Sequence, residues 1–145
     1  MKRNMLMLLV ALMGLNASAQ TFTIVNNSKS QVYFQIFGTD KGSCTNKYSS
    51  LTKSIEPGSK TVYGSVSEIQ WSGNAPVGAI GFSSFSGMYV DPSGACISKA
   101  SELIGDAVCK YGSSSTINMS KCGGTGGNLN LSWSSKNGNV SVTIN

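Results

Sequence analysis

Apolar and polar residues alternate along much of this chain with a period of two, and clusters of Gly, Ser, Asn and Pro interrupt the alternation. Near the start, Phe22 and Ile24 fall on one face, while Thr21, Thr23 and Val25 fall on the other. Asn26-Asn27-Ser28-Lys29-Ser30 follows as a polar turn, because Asn tolerates positive φ and Asn and Ser side chains bond to nearby backbone groups. Val32, Phe34 and Ile36 then alternate with Tyr33, Gln35 and Phe37, so the stretch reads as strand, turn, strand. The far end repeats the pattern: Leu129, Leu131 and Trp133 alternate with Asn130, Ser132 and Ser134. Asn137-Gly138 next supplies the two positive-φ positions of a type I′ hairpin turn, and Val140, Val142 and Ile144 alternate beyond it. Trp133 thereby falls on the core side with Leu131.

The middle of the chain is read in shorter pieces. Residues 38–52 are polar, contain Cys44 and read as a loop. Pro57-Gly58 carries a type II turn, with Pro presetting φ and Gly accepting a positive φ after it. Strands are expected at residues 61–63 and 68–71, and residues 79–82 and 87–90 read as a pair of strands around a turn at 83–86. Residues 98–108 form the one helical pattern: Ile97, Ala100, Ile104 and Val108 lie at roughly helical spacing, and Ser98 is placed to cap the start. Gly105 weakens that helix by about 1 kcal/mol, and residues 107–111 read alternatively as strand. A Ser-rich loop follows, and residues 122–127 form a glycine-rich connector. The expected fold is all-β: an antiparallel β-sandwich of about eight short strands with at most one short helix, a small barrel being the alternative.

The amino terminus changes the picture of compartment. Lys2 and Arg3 precede an apolar run over residues 5–15, and Ala17-Ser18-Ala19 offers the small residues that signal peptidase requires. Residues 1–19 thus read as a signal peptide and residues 20–145 as a single β-sandwich domain; a retained membrane anchor is the competing reading, for which the apolar run is short. Cleavage leaves Gln20 first, with no Cys there to carry a lipid, so a secreted or periplasmic location is expected. Cys44, Cys96, Cys109 and Cys122 all follow the leader and read as two disulfides of an oxidising compartment. Three pairings are open. Nearness in sequence favours Cys96 with Cys109, leaving Cys44 for Cys122. Loss of Lys2 and Arg3 lowers the net charge from +5 to +3, and no Arg remains, which argues against a nucleic-acid partner.

The chain has no histidine. Ser–His–Asp and Cys–His catalysis and His-ligated zinc are therefore excluded. No catalytic residue, metal ligand or cofactor site is assigned. Gly123-Gly124-Thr125-Gly126-Gly127 lacks the Lys-Ser/Thr ending of a phosphate loop and precedes a strand pattern. Asp40 and Asp91 lack the closely spaced acidic ligands of a calcium loop. A carboxylate pair as in glycosidases is the remaining catalytic option, and Glu68 and Asp91 are its candidates because they lie near Trp71 and Tyr89 in sequence. The same four residues, Trp71, Tyr89, Glu68 and Asp91, are the candidate ligand-binding set: an aromatic at a strand end offers a flat apolar face with a polar edge to a sugar ring or a membrane interface. Asn-x-Ser/Thr sequons occur at Asn26, Asn118, Asn130 and Asn139.

Thr21-Phe22-Thr23-Ile24-Val25-Asn26-Asn27, followed by Val32-Tyr33, resembles the opening of thaumatin-like proteins. Ile55-Glu56-Pro57-Gly58-Ser59 is similar to their P-G-S turn, Trp71-Ser72-Gly73 to their W-S-G and Cys122-Gly123-Gly124 to their later C-G-G, in the same order. The chain departs from that family in its few cysteines, and Ser28 stands where a cysteine is usual. The same opening is also similar to aegerolysins, small β-sandwiches that recognise membrane lipids. The first resemblance implies a secreted β-sandwich that binds a cell-wall or host glycan, which the want of an assigned catalytic residue makes non-enzymatic; the second implies a lipid-binding or membrane-permeabilising protein.

Overall fold

The computed structural model describes residues 20–40, 42–45, 47–76, 80–122 and 127–145. The expected leader at 1–19 and most of the glycine-rich connector lie outside them. Among the described residues ten strands are formed: β1 (Phe22–Asn26), β2 (Val32–Asp40), β3 (Tyr48–Ser49), β4 (Lys53–Ile55), β5 (Lys60–Tyr63), β6 (Ile80–Tyr89), β7 (Ile104–Gly105), β8 (Ser114–Asn118), β9 (Asn128–Lys136) and β10 (Asn139–Ile144). The only helical turns among the described residues are short 3-10 turns, including Val66–Glu68, Ala107–Cys109 and Ser120–Cys122. The chain is all-β.

The strands make two sheets. One has the order β5-β1-β10-β9-β8; the other has the order β3-β2-β6-β7, with β4 also paired to β2. All strand pairs are antiparallel except β1 with β10, which run parallel from Phe22 opposite Val140 to Asn26 opposite Ile144. The alternation read from the sequence decides which faces meet. Phe22 and Ile24 of β1, Val32, Phe34 and Ile36 of β2, Leu129, Leu131 and Trp133 of β9, and Val140, Val142 and Ile144 of β10 are all buried. Phe22 is the hub between the sheets: its ring lies 4.9 Å from Phe82, 5.6 Å from Trp133 and 6.3 Å from Phe85.

Several expected elements take another form. The helix at 98–108 does not exist. Residues 98–106 run extended along the free edge of β6, where Ser98 bonds to Tyr89, Ser101 to Gly87, and Ile104 and Gly105 pair with Phe85 and Ser84. The unpaired N–H and C=O groups of β6 need partners there, and this requirement outweighs a weak helical spacing. The Ser98 hydroxyl accepts from the Tyr89 N–H, at 2.8 Å, and caps no helix. Residues 107–109 form a 3-10 turn, not a strand. The two strands expected around a turn at 83–86 are one strand, β6, because Ser83, Ser84 and Ser86 are small enough to be buried within it. Of residues 68–71, only Trp71 makes a β contact, a bridge to Ser50. Part of the expected 38–52 loop is strand, since β2 continues to Asp40 and β3 follows. The Ser-rich stretch read as a loop contains β8, an edge strand anchored by the buried Ile117.

The disulfides are Cys44–Cys109 and Cys96–Cys122, not the pairing that nearness suggests. The extended run explains the difference. Cys96 lies beside the Tyr89 end of β6, and the chain then travels the length of that strand before it reaches Cys109 beyond Ser83. Cys96 meets Cys122 instead, which follows β8, so this bond crosses between the sheets. Closing loops with sequence separations of 65 and 26 stabilises the fold by about 3–4 kcal/mol each. Digestion of the unreduced protein is expected to release peptides joined as Cys44–Cys109 and Cys96–Cys122, read by mass spectrometry.

Gly105 makes the closest approach in the second sheet. A Cβ there would lie 2.2 Å from the Ser83 carbonyl oxygen and 2.8 Å from Ser84 Cα, so backbone would have to move. Gly105→Ala is expected to lower stability by about 1–3 kcal/mol in urea unfolding.

Candidate functional site

The four residues selected from the sequence do not converge. Trp71 is partly buried: its ring packs at the edge of the core, where a Cβ on Gly38 would meet it at 3.0 Å, and its indole N–H donates to the Val66 carbonyl at 3.1 Å. Tyr89 is a core residue, only 8% exposed, and presents no free ring face. Glu68 ends the 3-10 turn, where its carboxylate accepts from the Gly64 N–H at 2.8 Å. Asp91 organises the turn after β6, accepting from the Ser93 hydroxyl and from the Cys96 N–H at 2.8 Å. Trp71 lies near Gly38, opposite Phe82, while Asp91 follows Tyr89, opposite Val32. The two acids thus sit towards opposite ends of a strand about 30 Å long. Glycosidase carboxylates are about 5–9.5 Å apart, so Glu68 and Asp91 do not form such a pair.

The strand alternation points to another place. Val32, Phe34 and Ile36 face the core, so Tyr33, Gln35 and Phe37 stand on the outer face of the second sheet, and all three are partly exposed. Their neighbours by register are Ser54 and Met88 beside Tyr33, Ser86 beside Gln35, and Ser49 and Ser84 beside Phe37. No member of this patch is charged. The Gln35 side-chain amide donates to the Ser50 carbonyl at 3.3 Å, which holds it along the sheet between the two rings. Tyr33 and Phe37 are about 13 Å apart along the strand. The signal for this strip was present in the sequence: two aromatics on the side of a strand opposite three buried apolar residues. The outer face of the other sheet differs in kind. There Thr23, Ser132, Ser134, Ser141 and Thr143 form a hydroxyl-rich surface without aromatic rings.

A groove of about 920 Å³ opens between residues 99–103 and β8. Lys99 and Glu102 lie on one wall, and Ser114, Thr116 and Asn118 on the other. A smaller cavity of about 210 Å³ lies beside the Cys44–Cys109 bond. Among the described residues no cluster of acidic, Cys or His side chains could hold a metal ion, and no helix is long and apolar enough to cross a membrane. Of the sequon asparagines, Asn26 is fully buried.

Two carboxylates are tuned. Hydrogen bonds from Lys47 and Tyr48 hold the Asp40 carboxyl below its ordinary value of 3.8, and the same contacts raise the Lys47 ammonium and the Tyr48 phenol. The Ser93 hydroxyl and the Cys96 N–H hold Asp91 below the same value. A carboxyl depressed in the folded state contributes stability that is complete above its unfolded value and is lost as pH falls through its folded value. Stability is therefore expected to fall on acidification below about pH 4. Asp40→Asn with Asp91→Asn is expected to flatten that decline in thermal melts recorded against pH.

No protein-family model, curated protein or solved structure matches this chain.

Proposed function

We propose that this protein is exported through the leader at residues 1–19 and binds an uncharged polysaccharide through the outer face of β2. Two features support export: the three-part pattern of the leader, and two disulfides, which belong to an oxidising compartment. One observation carries the binding reading: Tyr33 and Phe37 stand partly exposed on one side of one strand, with the Gln35 amide between them and only uncharged neighbours around them.

Each part of that surface suits a sugar chain. An aromatic ring offers an apolar face to the C–H side of a sugar ring, and the Tyr33 hydroxyl adds a polar edge. The spacing lets two rings of one chain be met at once, and the Gln35 amide between them, with the accessible Ser49 and Ser54 at the margins, supplies hydrogen bonds. A charged ligand would find no ion-pair partner in this strip. The strip lies on a rigid strand whose opposite side is core, so little ordering cost attends binding. This proposal keeps the glycan-binding sandwich that the thaumatin-like resemblance implies. It moves the contact from Trp71 and Tyr89, whose rings are engaged in packing, to Tyr33 and Phe37.

Cosedimentation of the disulfide-bonded, exported protein with insoluble β-glucan, chitin and peptidoglycan tests this, with anionic liposomes run alongside. The expected result is pelleting with at least one polysaccharide, weakened about tenfold or more by Tyr33→Ala with Phe37→Ala, a loss of 1.4 kcal/mol or more. Ser141→Ala, on the other outer face, should leave binding unchanged. Pelleting with liposomes alone would transfer the function to lipid recognition. Polysaccharide binding indifferent to both aromatics would remove this surface from consideration.

A further inference from the structure

Among the described residues, the backbone of one wall of the groove beside β8 lacks a partner. β8 ends its sheet, with β9 as its single neighbour. The Trp133 N–H donates to the Ser113 carbonyl at 2.8 Å, and the register places Ser115 opposite Leu131 and Ile117 opposite Leu129. Backbone groups of an antiparallel strand point alternately to its two sides. The odd-numbered residues of β8 therefore bond to β9, and the N–H and C=O groups of Ser114, Thr116 and Asn118 point away from it, into the groove. Their side chains are exposed, and the strand contains no Lys, Glu, Asp or Pro to discourage pairing. Such a row of free backbone groups is a template for another strand. The other edge of the same sheet, β5, begins with Lys60 and follows a Pro-Gly turn.

We infer that the occupant of this groove is β8 of a second copy of the chain, paired antiparallel about a two-fold axis through Thr116. In that arrangement Thr116 faces its own counterpart and Ser114 faces Asn118 of the partner. Each pair exchanges N–H and C=O bonds, and the exposed threonines make the cross-strand contact that stabilises sheets. An isologous interface must be self-complementary, and the opposite wall meets this condition. Lys99 and Glu102 flank Ser101, which bonds to Gly87; a Cβ on Gly87 would lie 3.1 Å from Ile117 Cδ1, beneath β8. A two-fold axis at that level carries Lys99 of one copy towards Glu102 of the other. Both side chains are exposed, and neither belongs to an ion pair among the described residues. The result is one continuous sheet running through both copies, with the Tyr33–Phe37 strips left uncovered on the other sheets.

The test is sedimentation equilibrium of the disulfide-bonded protein purified from the full-length gene expressed for export. The expected mass is that of a dimer, with reversible dissociation on dilution. Thr116→Pro removes a backbone donor at the centre of the edge, where a folded strand tolerates proline, and should weaken the dimer about tenfold or more while leaving the circular dichroism unchanged. In case proline disturbs β8 itself, Glu102→Lys and Lys99→Glu provide a second arm: each alone should weaken association, and the two together should restore it. A protein that stays monomeric at millimolar concentration would overturn the inference. So would a dimer unaffected by all of these variants. Shifts of groove resonances when a soluble glucan oligosaccharide is added to a monomer would give the groove to a glycan instead.

Discussion

β6 is the strand around which the second sheet is built, and its long free edge imposes the main structural demand on this chain. Buried backbone groups must be paired, yet β7 pairs with only two residues of β6. Serines meet the remaining demand. Ser98 donates its own N–H to the Tyr89 carbonyl and accepts the Tyr89 N–H with its hydroxyl; Ser101 does the same with Gly87. On the other side of the sheet, Ser50 treats Ile36 in the same way, at 2.8 and 2.9 Å. In each case one serine satisfies both backbone groups of a strand residue while its own carbonyl is free to turn elsewhere. This two-point contact needs no regular ladder, so an irregular segment can line a strand without leaving orphaned donors.

A second polar device fixes how the sheets meet. The core that joins them is apolar and non-directional, and aromatic packing around Phe22 alone would tolerate sliding. Asn26 removes that freedom. It is fully buried at the end of β1, where its amide donates to the carbonyls of Ser30, Ile55 and Glu56 and its oxygen accepts the Ser28 N–H and hydroxyl. The end of a strand in one sheet, the turn leading out of it and the end of β4 in the other sheet are tied to one side chain. A buried amide with every group satisfied is stable in place, and any other register would leave it unpaired at a cost of about 1–3 kcal/mol per group. This gives a physical role to the Val25-Asn26-Asn27 motif that needs no ligand.

What could be read from the sequence follows from the same physics. β1, β2, β9 and β10 alternate between a buried face and a wet face, and the type I′ turn residues Asn137 and Gly138 do have positive φ, so these elements were legible. β8 carries a single fully buried side chain, Ile117, among Ser, Thr and Asn, and its strand character comes from β9 rather than from its own composition. Residues 98–108 read as helix because Ile97, Ala100, Ile104 and Val108 fall by coincidence at roughly helical spacing; the determinants of the extended run, the hydroxyls of Ser98 and Ser101, carry no periodic signal. The disulfide pairing depends on that extended run, which carries Cys96 and Cys109 towards opposite ends of β6, so nearness in sequence misleads. Trp71 and Tyr89 lie near strand ends, but exposure is set by which face a residue takes: Tyr89 falls on the buried face, while the β2 alternation turns Tyr33 and Phe37 outward.

Edge protection links these points to the composition. Only 12% of the residues are charged, so the usual guard of lysines and glutamates along sheet edges is largely absent. Geometry takes its place. β3 and β4 are separated by a break at Ser50, beside which the Leu51 N–H donates to the Gln70 carbonyl and the Ser72 N–H donates to the Ser49 carbonyl. The β6 edge is covered by the serine-pinned run, and β7 approaches so closely at Gly105 that no side chain fits. Each device uses Ser or Gly where another protein would use charge, and each leaves an irregular edge that cannot template a further strand. β8 is uninterrupted and uncharged, and among the described residues no strand pairs with its outer edge. In a sheet system otherwise arranged to avoid pairing, an edge left regular over five residues is one that the fold keeps available.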